Sequence, residues 1–178
     1  VGAFYYAREC GRNMLENGSG SIVNIGSILG SGGSENGVIA YSAAKGGLRN
    51  MTLQLGTEWA DRGVRVNAVS PGFIVTEMTR PALEALGMDK WIASRTPMRR
   101  VGESEEVTNA VMFLASDLAS YITGVDLLVD GGTNASNGTF QIPPIHHEWN
   151  KDQLMIPSSY EPVQPRPEWY QALEAGVP

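Results

Sequence analysis

The sequence predicts an α/β protein built on a parallel sheet. Three apolar runs, at residues 21–27, 64–69 and 125–129, have the length and composition of strands. Two segments with helical periodicity lie between them, at residues 40–62 and 103–116. A strand, a helix and a further strand of the same sheet are joined by a right-handed crossover. The alternation therefore predicts parallel strands that are covered by helices.

The first predicted element is an amphipathic helix at residues 1–17, which ends at the run Asn17-Gly18-Ser19-Gly20. Cys10 is the one cysteine of the chain, so an intramolecular disulfide is excluded, and we interpret it as a small buried side chain. The expected inner positions of this helix are Val1, Phe4, Tyr5, Cys10, Met14 and Leu15.

The connections after the first strand differ in character. Residues 28–39 form a loop rich in Gly and Ser, which we interpret as the rim of a site in preference to a phosphate-binding loop. The next helix stops at Gly63, and Pro71-Gly72 turns the chain after the second strand. Residues 76–100 are predicted to be irregular, with short helical pieces near residues 81–86 and 89–95.

The last helix and strand complete the predicted sheet. The inward positions expected on the helix at residues 103–116 are Val107, Val111, Phe113 and Leu114. Asn67 is predicted to satisfy nearby backbone groups. We interpret Asp130-Gly131-Gly132 as a turn that closes the last strand, because one carboxylate beside glycines is a poor metal site.

Composition and charge limit the class of protein. The chain has 178 residues, of which 42% are hydrophobic and 18% charged, which suits one globular domain. Its net charge of −6 argues against nucleic acid and anionic membranes as partners. No apolar run approaches the roughly 20 residues of a membrane span. The expected partner is a small molecule, and the expected compartment is the cytoplasm.

Tyr41 and Lys45 are the pair with the clearest chemical meaning. They lie four residues apart in a predicted helix, so their side chains share one face. A neighbouring ammonium favours the phenolate form of a tyrosine and makes the hydroxyl usable as a general acid or base at neutral pH. Ser27 ends the first strand, and ligands of open α/β sheets bind at the carboxyl ends of the strands.

These residues, in this order, resemble the catalytic centre of the short-chain dehydrogenase/reductase family. Residues 65–76 resemble the sixth strand of that family and its nicotinamide-side loop, and residues 124–132 resemble its last strand. The resemblance covers about residues 1–135. It implies the C-terminal part of a Rossmann-like, doubly wound parallel sheet. It also implies an NAD(P)-dependent oxidoreductase that interconverts a secondary alcohol and a ketone, with NAD or NADP as cofactor.

The resemblance also implies residue roles. Tyr41 is the expected acid or base, Lys45 supports it and binds the nicotinamide ribose, and Ser27 holds the substrate oxygen, with Ser31 as a weaker substitute. The expected wall beside the nicotinamide is formed by Pro71, Gly72, Ile74 and Thr76. Members of the family commonly pair copies of the helix that contains Tyr41 and of the helix before it, so a homo-oligomer, a dimer or a tetramer, is expected. The expected substrate wall at residues 76–100 is largely apolar, through Met78, Leu83, Leu86, Met88 and Trp91.

A strand followed by a Gly-rich turn and a helix normally binds the cofactor pyrophosphate in such a fold. No such turn precedes Ser27 in this sequence. We therefore expect the working protein to be longer and residues 21–27 to lie beside an empty strand position in this chain. The residue that selects NAD or NADP would belong to the absent part.

Residues 136–178 have another composition. Seven of the ten prolines lie between Pro143 and Pro178, together with Trp149, Tyr160, Trp169 and Tyr170. Prolines disfavour long helices and central strands. We predict an extended arm whose aromatic side chains dock on a surface of this chain or of a partner.

Two further motifs and an alternative function complete the predictions. His146-His147-Glu148 lacks a third ligand at a recognisable spacing, so no metal is expected. Asn137-Gly138-Thr139 matches a glycosylation site that a cytoplasmic chain would not use. The alternative function is a non-catalytic Rossmann-fold module for binding or assembly, or an inactive fragment, which does not require the Ser27, Tyr41 and Lys45 set.

Overall fold

The computed structural model describes residues 2–33, 37–85 and 87–136. The predicted arm and the motifs at His146-His147-Glu148 and Asn137-Gly138-Thr139 lie outside these residues. Five α-helices are present in the described part: α1 (Gly2–Asn17), α2 (Ile39–Glu58), α3 (Arg80–Ala85), α4 (Met88–Arg95) and α5 (Ser104–Ala115). The strands described are β1 (Gly20–Ile25), β2 (Val64–Pro71), β3 (Ile74–Val75), β4 (Gly102–Glu103) and β5 (Asp126–Val129).

The main sheet has the order β1-β2-β5, and both pairs of strands are parallel. In its register, Asn24 lies beside Ala68, and Ala68 lies beside Asp126. The short strands β3 and β4 form a second parallel pair. The α/β class, the three predicted strands and the two short helices within residues 76–100 are therefore confirmed.

The two faces of the sheet are covered by different helices. Val69 packs with Leu114 of α5 and with Ala119 in the main apolar cluster. Its neighbour Ala68 points to the opposite face, since side chains alternate along a strand, and α2 packs on that face. β2 lies at the centre, and Val64, Val66, Ala68 and Val69 are fully buried, as in strands covered on both faces.

β1 lies at one edge of the sheet in the described part of the chain. Its side chains are half-buried, and Ile25 is 46% exposed. An apolar edge of this kind is a site for pairing with further chain.

The inward face of α1 differs from the predicted one. Phe4 and Tyr5 are 52% and 51% exposed, Cys10 is exposed, and the buried residues are Ala7 and Gly11. A Cβ atom at Gly11 would lie 2.4 Å from the Trp59 ring. The helix approaches Trp59 so closely that only small residues fit between them, which turns the aromatic residues outward.

The prediction for α5 was wrong at one position. Leu114 is buried, and Val107 and Val111 pack against the same cluster, but Phe113 is 39% exposed. Positions 107, 111 and 114 follow the helical repeat along one stripe. Phe113 lies about 100° away from Leu114 around the helix axis, because each residue turns an α-helix by that angle.

The start of α5 is held by a surface ion pair with a consequence for pH dependence. Arg100 donates two hydrogen bonds to Glu106, of 2.7 and 2.6 Å, and the Glu103 amide donates one of 2.8 Å. The Arg100 hydrogen bonds, and then that of the Glu103 amide, lower the pKa of Glu106 from 4.5 to about 2. The stabilisation is complete above pH 4.5 and is lost as the pH falls towards 2.

We expect Glu106→Gln to flatten this acid dependence. Urea unfolding of the parent and the variant at several pH values between 6 and 3 measures the effect; the parent should lose more stability on acidification than the variant. Glu105→Gln removes a neighbouring exposed charge in the same turn and is the control. Equal pH slopes for the parent and Glu106→Gln would contradict this role of the ion pair.

Candidate active site

Ser27 lies directly after β1, at its carboxyl end. Its backbone is extended, and its Oγ accepts a hydrogen bond of 3.2 Å from the amide of Leu29, which caps a short 3₁₀ turn at Ile28–Gly30. The residue is 8% exposed. A hydroxyl that accepts one bond still has its own O–H to donate. The turn therefore fixes the position of Ser27 without using its donor.

Tyr41 and Lys45 lie in the first two turns of α2, on one face. The Lys45 Nζ lies 5.7 Å from the centre of the Tyr41 ring. It donates a hydrogen bond of 2.7 Å to the carbonyl oxygen of Ile25, the last residue of β1. The Tyr41 side chain remains 47% exposed. The ammonium thus lies between an accessible phenol and the strand end that leads into Ser27.

The backbone explains this proximity. A Cβ atom at Gly30 would lie 2.9 Å from the carbonyl carbon and oxygen of Lys45. The turn after Ser27 therefore contacts α2 backbone to backbone, at a distance that a larger residue would prevent. The structure brings Ser27 and Lys45 to one end of the sheet, as the motif order predicts.

The predicted cofactor loop follows the end of β2 at Pro71. The Gly72 amide donates to the Val129 carbonyl at 3.0 Å, and a Cβ atom at Gly72 would lie 2.8 Å from the Asp130 Cβ. Ile74 is paired with Gly102 in the small sheet. The Thr76 Oγ1 lies 3.0 Å from the Thr79 Oγ1 and accepts a bond of 3.1 Å from the Thr79 amide. The first end of the loop is therefore bonded to the main sheet, and its second end is bonded to the turn at Thr76 and Thr79.

Two polar residues near this loop have the structural roles that were predicted. Asn67 donates to the Ile122 carbonyl at 2.9 Å and accepts from the Val125 amide at 3.1 Å. The Asp130 carboxylate accepts from the amides of Gly132 and Asn134, at 2.9 and 2.7 Å. These bonds form the turn after β5, in which Gly131 and Gly132 have positive φ values.

Asn134 was not identified from the sequence. Its Nδ2 lies 3.4 Å from the Oγ of Ser31, so the turn after β5 reaches the exposed loop that follows Ser27. Ser31 itself donates to the Ile28 carbonyl at 3.1 Å. The two residues are 103 positions apart, and no local sequence pattern indicates a contact over such a separation.

The predicted apolar wall at residues 76–100 is only partly available to a ligand. Leu83 is 7% exposed and packs inward, so it was wrongly placed in that wall. Met78 and Trp91 are 86% and 44% exposed, and the Arg95 guanidinium lies 4.4 Å from the centre of the Trp91 ring. Leu86 lies outside the described residues.

An open cleft lies beside Phe73 and Ile74 of the Pro71–Thr76 loop, and neither Ser27, Tyr41 nor Lys45 lines it. The ion pair between Arg100 and Glu106 borders it. Its lining residues are Phe73, Ile74, Thr96, Met98, Arg100, Gly102, Glu106, Val129, Asp130 and Gly131. We assign the candidate site to the Tyr41 face because the proton-transfer groups are there, whereas the polar groups of the cleft are already bonded to one another or to the backbone.

The described residues contain neither a metal-binding group nor a membrane-spanning helix. Among residues 2–33, 37–85 and 87–136, no three His, Cys, Asp or Glu side chains are grouped so that they could hold a metal ion. None of the helices in this described part is both long and apolar enough to cross a membrane.

Several known proteins have sequences similar to this chain. A family model described as "Enoyl-(Acyl carrier protein) reductase" matches residues 1–134. Galactitol 2-dehydrogenase (L-tagatose-forming) of Cereibacter sphaeroides is 45% identical over 132 residues, 74% of this chain and 52% of that protein. The 3-oxoacyl-[acyl-carrier-protein] reductase of Escherichia coli is 44% identical over 131 residues, 72% of this chain and 52% of that protein. The chain spans about half the length of these relatives.

Solved structures give the same result. The crystal structure of a gluconate 5-dehydrogenase from Burkholderia cenocepacia, in complex with NADP and tartrate, is similar with a TM-score of 0.71 and 33% identity. The match covers 75% of this chain and 52% of the other. Fold and sequence therefore lead to the same family.

Proposed function

Since the chain belongs to the short-chain dehydrogenase/reductase family, we propose that this protein is an NAD(P)-dependent oxidoreductase that interconverts a secondary alcohol and a ketone. The observation that carries this proposal is the position of the Lys45 ammonium, 5.7 Å from the centre of the Tyr41 ring and 2.7 Å from the carbonyl of Ile25. The names of the relatives, a galactitol dehydrogenase and a 3-oxoacyl reductase among them, support chemistry between an alcohol and a ketone.

In this proposal Tyr41 moves the proton. During reduction its hydroxyl donates a proton to the carbonyl oxygen, and during oxidation its phenolate accepts the proton of the alcohol. Lys45 stabilises the phenolate by its charge. The Ser27 hydroxyl, held by its bond from the Leu29 amide, donates to the substrate oxygen and stabilises the charge that develops there. The nicotinamide, when bound, supplies or accepts the hydride.

The residues present fit the nicotinamide end of such a cofactor. An ammonium has three donors, and Lys45 uses one on Ile25, which leaves donors for the hydroxyl groups of a ribose. We propose that Pro71, Gly72, Ile74 and Thr76 form the wall beside the nicotinamide. The NADP complex of the related gluconate 5-dehydrogenase supports a nicotinamide cofactor and leaves NAD and NADP both open for this chain.

The domain organisation, oligomeric state and compartment are also proposals. We propose residues 1–135 as part of the catalytic domain and 136–178 as a separate arm. A cytoplasmic homo-oligomer agrees with the acidic composition and with the exposure of Phe4, Tyr5 and Tyr6 on α1, of 52%, 51% and 78%. Such rings favour contact with further protein.

Light scattering of the intact protein is expected to give the mass of a dimer or a tetramer. The mass of a monomer would contradict the proposed homo-oligomer.

The direct test of the proposal is turnover by the intact protein. A panel of secondary alcohols is supplied with NAD or NADP, and the absorbance of the reduced nicotinamide is followed.

The structure adds a prediction about cofactor binding. Lys45→Ala should weaken cofactor binding by about tenfold or more, the usual effect of losing hydrogen bonds to a charged group.

Fluorescence titration with the reduced cofactor measures this effect. Lys90→Ala, which removes an exposed ammonium from α4, is the matched control and should bind like the parent. Unchanged cofactor affinity together with unchanged turnover in Lys45→Ala would remove Lys45 from the site.

A further inference from the structure

The contact between α2 and the sheet contains polar groups where such contacts are normally apolar. Asn24 donates from Nδ2 to the Thr52 Oγ1 at 2.9 Å, and Thr52 donates to the Leu48 carbonyl at 2.9 Å. Ser70 donates to the Asp126 Oδ1 at 2.6 Å, and the Arg49 Nε lies 3.2 Å from the Asp126 Oδ2. We call Asn24, Arg49, Thr52, Ser70 and Asp126 the polar seam.

The polar seam crosses the whole main sheet. Asn24, Ala68 and Asp126 are register partners on β1, β2 and β5, and their side chains point to the α2 face. On the helix, Arg49 and Thr52 follow Lys45 by four and seven residues, the spacing of one helical face. The seam therefore begins one turn after Lys45 and bonds α2 to both edge strands of this sheet.

Most of the seam is buried. Thr52 and Ser70 are 0% and 1% exposed, and the Asp126 side chain is 5% exposed, whereas the Arg49 side chain is 42% exposed. A buried carboxylate is unfavourable unless it is paired and hydrogen-bonded. The Asp126 carboxylate has both its ion pair and its hydrogen bond only where Arg49 and Ser70 both reach it. The position of Asp126 relative to α2 is therefore specific.

The seam also contacts the strand end that precedes Ser27. The Gly26 amide donates to the Val69 carbonyl at 2.7 Å, and a Cβ atom at Gly26 would lie 2.3 Å from the Ser70 Oγ. Ser70 therefore packs against the residue before Ser27. Two sets of polar contacts, from Asn24 to Thr52 and from Ser70 through Asp126 to Arg49, therefore join the sheet to the helix that carries Tyr41 and Lys45. The second set lies beside the residue that precedes Ser27.

We propose that the polar seam sets the register of α2 on the sheet, and that Arg49 and Asp126 are positioning residues for the acid–base site. The hydrophobic effect is non-directional, so a shift of a helix along a sheet changes the free energy of apolar burial little. Hydrogen bonds and an ion pair have one good geometry. The inference rests on the proposed function of Tyr41 and Lys45, since it concerns the distance of these groups from Ser27.

Arg49→Leu tests the inference in the intact protein. A displacement of reacting groups by about 1 Å can cost about 100-fold in rate. We expect a fall in kcat of about 10- to 100-fold, with the KM of the substrate changed by less than about threefold, and partial rescue by Arg49→Lys. Arg49→Leu leaves the buried Asp126 carboxylate without its ion-pair partner, which destabilises the fold. A double variant with Arg49→Leu and Asp126→Leu therefore removes both charges together, a change that folded proteins often tolerate.

Arg65→Leu is the matched control. Arg65 donates to the carbonyls of Leu114 and Ser116 at 2.7 and 3.0 Å and so joins β2 to α5, on the other face of the sheet. Its loss should lower the melting temperature and leave kcat within about twofold. The inference is overturned if kcat survives in the double variant, or if Arg65→Leu lowers kcat as much as Arg49→Leu does.

A crystal structure of the double variant separates this inference from the proposed function. The expected result is a shift of α2 that breaks the contacts from Lys45 to Ile25 and from Asn24 to Thr52. If α2 shifts in this way but the parent turns over no alcohol or ketone, the proposed function fails and the role of the seam stands. If α2 keeps its register, the positioning role is overturned whatever the parent's activity.

Discussion

Tyr41→Phe should lower kcat of the intact protein by about 10²- to 10⁴-fold, the usual contribution of a general acid or base. The ring that lies 5.7 Å from the Lys45 ammonium is retained, and only the group that moves the proton is lost. Because the side chain is 47% exposed, removal of its hydroxyl should change the free energy of unfolding by no more than about 0.5 kcal/mol.

Steady-state kinetics and thermal unfolding, measured on the same preparation, separate these effects. Tyr121→Phe is the control, because Tyr121 is fully exposed and remote in sequence from the motif. A kcat of Tyr41→Phe within twofold of the parent would contradict the role of Tyr41. If the parent itself has no turnover and binds no cofactor, a non-catalytic binding or assembly module becomes the better interpretation.

Gly56→Ala is expected to have the largest effect on stability. A Cβ atom at Gly56 would lie 2.5 and 2.6 Å from the amide nitrogen and Cα of Gly124, and 2.8 Å from the Val66 carbonyl oxygen. All three are backbone atoms, so no side chain can move aside. Overpacking of this kind costs about 3 kcal/mol or more, against a typical total stability of about 5–15 kcal/mol.

The same helix contains a matched control. Gly47 is exposed, and a Cβ atom there would meet nothing within 4 Å. Gly47→Ala should therefore stabilise the protein by about 0.5–1 kcal/mol, since alanine loses less backbone entropy than glycine in a helix. Urea unfolding of both variants measures the difference. Equal stabilities would show that α2 does not approach β2 and Gly124 as closely as the distances at Gly56 indicate.

The comparison of Gly47 with Gly56 shows which properties of α2 can be predicted from the sequence. Its span, its position between two parallel strands and the shared face of Tyr41 and Lys45 follow from periodicity and spacing. Gly47 and Gly56 look alike in the sequence, yet one faces solvent and the other faces backbone. Nothing local distinguishes them, because the difference depends on how closely the helix approaches the sheet.

The polar seam was missed for a related reason. Asn24, Ser70 and Asp126 occur in three separate strands, and each looks like an isolated polar residue in an apolar run. Asn67, in the same sheet, was interpreted correctly as structural because strands leave backbone groups that need partners. The pairing of Asp126 with Arg49 depends on strand order and register, which set residues from three strands in one row.

Local information in the chain was sufficient for the strands, the helices and the residue types that can move a proton, since periodicity and side-chain chemistry do not depend on distant contacts. The inward faces of α1 and α5 depended on tertiary packing. Gly11 faces inward because Trp59 leaves no room for a larger residue, and Phe4 and Tyr5 face outward in consequence. Hydrophobicity ranks which residues favour burial, but the space between packed elements selects which of them are buried.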